Sequence, residues 1–367
     1  PQGYKAGALA EGLQQAKGVF VAIFDADFCP PPDFLRRTVP YFTADPHLGM
    51  VQTRWGHLNA DESAVTRAQA LLLDAHFTVE HIARNRSGLL MNFNGTAGVW
   101  RRETIENAGG WQSDTVAEDL DLSYRAQLQG WSVLYLPEVV ANAELPPLVA
   151  AFKQQQYRWA KGAAQTFRKL IGPILHSNRL TPTQKLMAFL HLSAYITQPL
   201  FLLMLLLTLP LVIYNPPLPY LTALLGTTLT VPPLLYILGQ MALYRDWPRR
   251  ILNYPTLMLL GMGVAWNNTL ALADGLMHWG GPFVRTPKFQ HQARQGKWQQ
   301  ATYKIRWDPR IIGDFCLGLY ALIALWYAWG DKAENLIPFA FIYAAGEALV
   351  IGTTLAQAKA MQRTAAE

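Results

Sequence analysis

The chain has 367 residues, 51% of them apolar, and a net charge of +6 from 31 Lys and Arg against 25 Asp and Glu, which leaves room for about two domains. The basic residues gather at 153–185, 245–250 and 285–310, beside apolar runs and not in a stripe along the first half. This argues for anionic lipid heads and against a nucleic-acid partner, and the distant pair Cys29 and Cys316 excludes a disulfide framework or a zinc site.

In chain order, residues 4–16 carry a helical pattern that Gly18 ends, and residues 19–24 read as a strand. Lys5, at the helix start, is placed where it could steer a diphosphate, although a surface lysine fits equally well. The strand runs into Asp25-Ala26-Asp27, which delivers two carboxylates to its C-terminal edge, where α/β sheets bind ligands. Mn²⁺ and Mg²⁺ take oxygen ligands, commonly one or two carboxylates plus substrate phosphates, so Asp25 and Asp27 read as a metal and diphosphate site; a plain turn before Pro30-Pro31-Pro32 is the alternative.

Residues 33–42 read as a short helix, 49–55 as a strand and 63–84 as one long amphipathic helix carrying His76, Glu80 and His81. A spacing of five puts the two histidines on different helical faces, which excludes a paired zinc site and leaves them on a polar face. Phe93-Asn94-Gly95-Thr96-Ala97-Gly98 is a small-residue turn that would let another molecule approach the backbone, or simply a tight turn before the strand Val99-Trp100-Arg101. A helix begins at residues 116–121, with Glu118, Asp119 and Asp121 in the first turn that the helix dipole favours. Residues 153–169 form an amphipathic helix with Gln155, Arg158 and Trp159 in one turn, just ahead of the membrane, where a Trp is also an ordinary interfacial anchor.

The runs 186–214, 218–244, 311–329 and 336–355 each reach the roughly 20 residues needed to cross a bilayer. The positive-inside rule puts the basic loops and the first half in the cytoplasm, making this a multi-pass integral membrane protein. Segment 251–277 then cannot be one simple span, and reads as interfacial or re-entrant. The organisation expected is a cytoplasmic catalytic domain over 1–150, amphipathic interface helices over 151–185, and a membrane region over 186–367 with about four spans and a cytoplasmic loop at 278–310. The chain opens in what reads as the middle of a domain.

Asp25-Ala26-Asp27, Glu118-Asp119 and Gln155-Gln156-Tyr157-Arg158-Trp159, in this order and followed by spans, resemble the processive family-2 glycosyltransferases. The texts at 23–28, 93–101, 118–122 and 155–159 look most like the cellulose-synthase-like A and C enzymes, which make β-1,4 mannan, glucomannan and glucan backbones. The resemblance implies a Rossmann-like, A-type nucleotide-sugar transferase domain with its first strands upstream of Pro1, a donor of UDP-glucose or GDP-mannose, and a growing polysaccharide acceptor. It leaves room for a homo-oligomer. Carried across, Asp25 and Asp27 would hold the metal ion and diphosphate, Lys5 would lie near the phosphates, and Asp119 would be the general base. Gln155, Arg158 and Trp159 would cradle the diphosphate and the acceptor's terminal sugar, with Phe93, Asn94, Gly95, Thr96 and Glu118 on the acceptor side. Residues 283–288, with Thr286 and Lys288, are similar to the loop that covers the nucleotide in cellulose synthases. Ala117 and Arg285 depart from the family pattern. Trp100, Trp131 and Trp159 are candidate sugar-stacking faces, although Trp131 after Gly130 fits the core better, and Tyr195, Gln198, Trp266, Asn267, Asn268, Tyr320 and Trp326 are candidate channel linings, or else belts and helix contacts.

Overall fold

The computed structural model describes residues 3–214, 221–282, 308–330 and 335–366. A mixed sheet carries the first half, with strands β1 (Phe20–Ile23), β2 (Leu48–His57), β3 (Gly98–Arg101) and β4 (Ser132–Ala143) in the order β1-β3-β2-β4. β3 runs antiparallel to both β1 and β2, and β2 pairs in parallel with β4. Successive strand residues point to opposite faces, so Met50 and Trp100 pack with Ile23, Phe93 and Leu122 on one side. Val51 and Val99 pack with Phe34, Phe42 and Leu136 on the other.

Helix α1 (Tyr4–Gln15) precedes β1, and the pattern at 33–42 resolves into α2 (Phe34–Thr38) and α3 (Pro40–Ala44), because Pro40 has no N–H with which to continue the first ladder. The helix expected over 63–84 is in three parts: α4 (Ala64–Ala75), a π-turn (His76–Glu80) and α5 (His81–Arg86). Its start is fixed by a capping box, in which Ser63 Oγ accepts from the Thr66 N–H at 3.1 Å and Thr66 Oγ1 accepts from the Ser63 N–H at 2.9 Å. After α6 (Arg102–Asn107) and α7 (Glu118–Leu128), the 28-residue α8 (Val149–His176) runs between the sheet domain and the apolar helices.

The apolar run expected at 186 divides at Ser193. Helix α9 (Pro182–Leu192) buries Ala188 and Leu192 against Tyr124 of α7 and Leu170 and Ile174 of α8, so the candidate span is the later segment Ala194–Tyr214. Ala194–Tyr214, Ile311–Gly330 and Ile337–Met361 are long and apolar enough to cross a membrane, with mean hydropathies of 2.2, 1.8 and 1.6. Helix α10 (Leu221–Leu243) packs against α4, where Gln240 Nε2 donates to Asp74 Oδ2 at 2.9 Å. The segment expected not to be a simple span is a pair of helices, Trp247–Gly263 and Ala265–Met277, bent by 48°.

Of the polar residues considered as channel linings, Asn267 is fully buried and donates to the Lys153 carbonyl at 3.0 Å, and Tyr320 donates to the Leu206 carbonyl at 2.6 Å. These are helix–helix hydrogen bonds. Trp326 is 79% exposed on the outer surface, so it lines nothing internal and fits an aromatic belt. Neither Cys29 nor Cys316 forms a disulfide.

Candidate active site

β1 ends at Ile23, and the chain then makes a turn closed by the Phe28 N–H on the Asp25 carbonyl at 3.0 Å. The turn that competed with a ligand site in the sequence is therefore the element that presents the two aspartates. It is held against the 93–98 loop, since Asp25 N–H donates to Thr96 Oγ1 at 2.8 Å and Ala97 N–H donates to the Ile23 carbonyl at 2.9 Å. Lys5 Nζ reaches over from α1 to Asp25 Oδ1 at 2.9 Å, the Gly95 carbonyl at 2.9 Å and Glu118 Oε1 at 3.8 Å.

The loop needs Gly95 for two reasons. Its φ is +81°, in the left-handed region, and a Cβ there would stand 2.8 Å from Asp119 Oδ2. Asp119 sits in the first turn of α7 with Oδ1 accepting the Leu120 N–H at 2.9 Å. Helix α8 closes the opposite wall with Gln155, Arg158 and Trp159. It approaches α7 closely, because a Cβ at Gly162 would lie 2.5 Å from the Ala117 Cβ. Ala117, one of the two departures from the resembled pattern, thus stands at a packing contact between two small residues. Gln165 fixes the same junction, its Oε1 accepting the Val116 N–H at 2.8 Å and its Nε2 donating to the His278 and Gly280 carbonyls.

Together these elements enclose a cavity of about 680 Å³ lined by Lys5, Asp25, Asp27, Asn94, Gly95, Glu118, Asp119, Gln155, Arg158 and Trp159. Burial pushes the Glu118 carboxyl up to about 7, with the neighbouring Asp119 charge adding and Lys5 opposing. Burial also raises Asp119, against the pull of Lys5, the Leu120 N–H and Arg158. For Lys5 burial works downward, yet the carboxylates of Asp25, Glu118 and Asp119 outweigh it and raise the ammonium above its usual range.

Some expected contacts lie elsewhere. Phe93 is 2% exposed and its ring packs edge-on against Trp100 at 5.5 Å, so it anchors the loop from below and cannot touch an acceptor. Trp100 is 1% exposed in the same cluster and cannot stack on a sugar, and Trp131 packs against that cluster too. Thr96 is fully buried and acts on the Asp25 backbone. Thr286 and Lys288, with the whole of 283–288, lie outside the described residues.

Sequence reasoning missed Trp55 and His57, which line the cavity from β2; their separation of two places them on one strand face, the signal that was available. It also missed Gln52, fully buried, whose Oε1 accepts the Asn94 N–H at 2.9 Å and whose Nε2 donates to the Thr53, Thr96 and Ala97 carbonyls. No pattern in the sequence marks that role. His76 and His81, read as polar-face residues on different faces, are brought together by the π-turn with ring centroids 4.3 Å apart, and His81 is fully buried. An i→i+5 turn stacks residues five apart, which an α-helix does not.

The described residues contain no cluster of three or more His, Cys, Asp or Glu able to hold a metal by themselves. Two adjacent carboxylates facing one cavity nonetheless fit a hard divalent ion that completes its shell with substrate phosphates.

A family model described as glycosyl transferase family group 2 matches residues 20–243, well over half of the chain. The chain belongs to this family. This family group 2 glycosyltransferase has the A-type fold, with its mixed sheet and its carboxylates at the sheet edge. Among its curated relatives, glucomannan 4-beta-mannosyltransferase 1 of Oryza sativa subsp. japonica is 46% identical over 188 residues, which are 50% of this chain and 36% of that protein. Glucomannan 4-beta-mannosyltransferase 2 of Arabidopsis thaliana is 46% identical over 181 residues, 48% of this chain and 34% of that protein. The chain thus spans about a third of the length of these relatives. A solved structure of the mannosyltransferase PcManGT from Pyrobaculum calidifontis, in complex with GDP-Man and Mn²⁺, aligns with a TM-score of 0.45 and 21% identity, over 74% of this chain and 66% of that one.

Proposed function

We propose that the chain is the catalytic and membrane part of an inverting β-1,4-glycan synthase of the mannan or glucomannan type, taking its sugar from GDP-mannose or UDP-glucose. The observation that carries this reading is the convergence of Asp25, Asp27, Asp119, Gln155, Arg158 and Trp159, from three separated motifs, on one cavity. The curated relatives, named as glucomannan 4-beta-mannosyltransferases, favour GDP-mannose over UDP-glucose.

In this reading Asp25 and Asp27 would hold Mn²⁺ or Mg²⁺ at the diphosphate site. A divalent cation bound there supplies Lewis-acid stabilisation of the leaving group. Lys5, already paired with Asp25, adds positive charge beside the phosphates, and Arg158 does so from α8. Asp119 takes the proton of the attacking acceptor hydroxyl, and a single displacement by that hydroxyl inverts the anomeric centre. Trp159 offers the acceptor's terminal sugar an aromatic face, with Gln155, Asn94, Gly95 and Glu118 around it. The apolar helices fix the transferase at a lipid bilayer, its cavity on the cytoplasmic side where nucleotide sugars are made, and provide the route by which a polymer would leave.

The test is incorporation of radiolabelled sugar from GDP-mannose and from UDP-glucose by membranes carrying the full-length protein, with Mn²⁺ or Mg²⁺, followed by digestion with linkage-specific β-mannanase or β-glucanase. A size-distributed polymer cut by β-mannanase is expected from GDP-mannose. Label confined to a small lipid-extractable product would replace the polymer reading with transfer to a lipid acceptor.

A further inference from the structure

The π-turn His76–Glu80 lies behind the 93–98 loop and does not line the cavity, yet its hydrogen bonds end on Asn94, which does. In an α-helix residues five apart are rotated by about 140° and cannot share a partner. Here the His81 N–H donates to the His76 carbonyl, the turn gains a residue, and the two imidazoles meet around one carboxamide.

With the Asn92 and Asn94 amides oriented as they stand, the donors and acceptors of that group assign the two imidazoles different roles. Asn94 Oδ1 accepts from Asn92 Nδ2 at 2.9 Å, which turns Asn94 Nδ2 toward His81 Nε2, also at 2.9 Å. His81 must then accept at Nε2 and is neutral. His76 Nε2 faces Asn94 Oδ1 at 3.3 Å and must donate, while its Nδ1 lies 2.8 Å from Glu80 Oε2 and must donate as well. A ring donating from both nitrogens is an imidazolium. Burial and the Arg84 guanidinium oppose that charge, but Glu80 and Asn94 outweigh them and raise His76 above its ordinary value. Burial and the His76 charge lower His81 well below its own. The His81 ring plane is fixed in turn by stacking on Phe77, with centroids 5.3 Å apart and planes 12° from parallel. His191 of α9 approaches Glu80 at 3.8 Å from the far side. One N–H of Asn94 remains beyond these contacts, on a residue that lines the cavity.

We infer that His76 and His81 are positioning residues that lock the Asn94 carboxamide with an N–H available to a hydroxyl oxygen of the acceptor sugar. The inference rests on the glycosyltransferase reading above and adds the residues that act through Asn94.

A double-mutant cycle on the full-length protein tests it, with mannohexaose and cellohexaose as primers and hydrolysis of the nucleotide sugar without primer as the control for the donor side. His76→Ala should raise the primer KM roughly tenfold and leave donor hydrolysis within twofold, Asn94→Ala should raise the primer KM at least as much, and the two together should do no more than Asn94→Ala alone. Penalties that multiply in the double variant, or a parallel loss of donor hydrolysis, would overturn the inference and make the π-turn a packing feature. His76→Gln keeps a donor for Asn94 Oδ1 and should restore most of the primer affinity; if it behaves like His76→Ala the hydrogen-bond role is wrong. A wild-type protein that hydrolyses donor but elongates neither primer would instead remove the acceptor role of Asn94, and the inference with it.

Discussion

Asp119 and Asp27 line the same cavity, but their replacements should fail differently. Asp119→Asn preserves shape and an oxygen for the Leu120 N–H while removing the carboxylate proposed as the base, so sugar transfer should fall by at least about 100-fold with nucleotide affinity within a few-fold. Isothermal titration of nucleotide beside a transfer assay separates the two, and substantial remaining turnover would mean that another group takes the proton. Asp27→Ala should instead weaken the Mn²⁺-dependent part of nucleotide binding, and unchanged binding would place the ion elsewhere. That these side chains would share one site was legible because each motif is short and its chemistry local. The residues behind them were not: Gln52 and Thr96 act through buried backbone contacts across more than 40 positions of sequence, Phe93 acts through a buried ring, and an aromatic such as Trp100 looks the same in a motif whether it faces a sugar or the core.

Secondary structure was legible wherever one periodicity held, as in β2 and α8, and failed where a local event reset it. The π-turn adds one residue to a helix whose apolar pattern runs through it unbroken, so the geometry that joins His76 to His81 has no sequence mark. Its ion pair has a pH signature. Burial works against both charges, yet the mutual attraction lowers Glu80 from 4.5 and raises His76 from 6.5. A depressed carboxylate contributes stability above its unfolded value and loses it as pH falls, and a raised histidine contributes below its unfolded value and loses it as pH rises through the folded one. The advantage in melting temperature of wild type over Glu80→Gln should therefore be greatest between about pH 4.5 and 6.5 and shrink on both sides. A difference independent of pH would show that Glu80 stabilises by packing alone. The α7–α8 junction offers a second test at this scale, because Gly162→Ala would drive a methyl into Ala117 and should cost about 1–3 kcal/mol in denaturant unfolding. An unchanged midpoint would mean that the two helices separate freely.

At the scale of the molecule, α8 belongs to the transferase and to the apolar helices at once. The face bearing Gln155, Arg158 and Trp159 lines the cavity, while Lys153 forms a buried ion pair with Asp314 of the candidate span Ile311–Gly330, and Lys161 pairs with Asp274 at 2.8 Å. The helix's first turn is satisfied from the chain's last helix: Gln357 Oε1 accepts the Val149 N–H at 3.0 Å and Gln357 Nε2 donates to the Pro147 carbonyl at 3.1 Å. The residues that hold this wall of the cavity in place thus stand more than 100 positions away, in segments that read from sequence as membrane spans or interfacial helices. Asp314→Ala leaves Lys153 buried without its partner, which should cost about 3–5 kcal/mol, whereas adding Lys153→Met removes the stranded charge and should recover most of that loss. Thermal unfolding in detergent gives the stability order, and transfer assayed on the same samples should follow it, since a loosened α8 carries Arg158 and Trp159 with it. If Asp314→Ala unfolds like wild type, the ion pair does not couple the two halves; if the double variant is stable but inactive, Lys153 serves the chemistry directly and not through the helix.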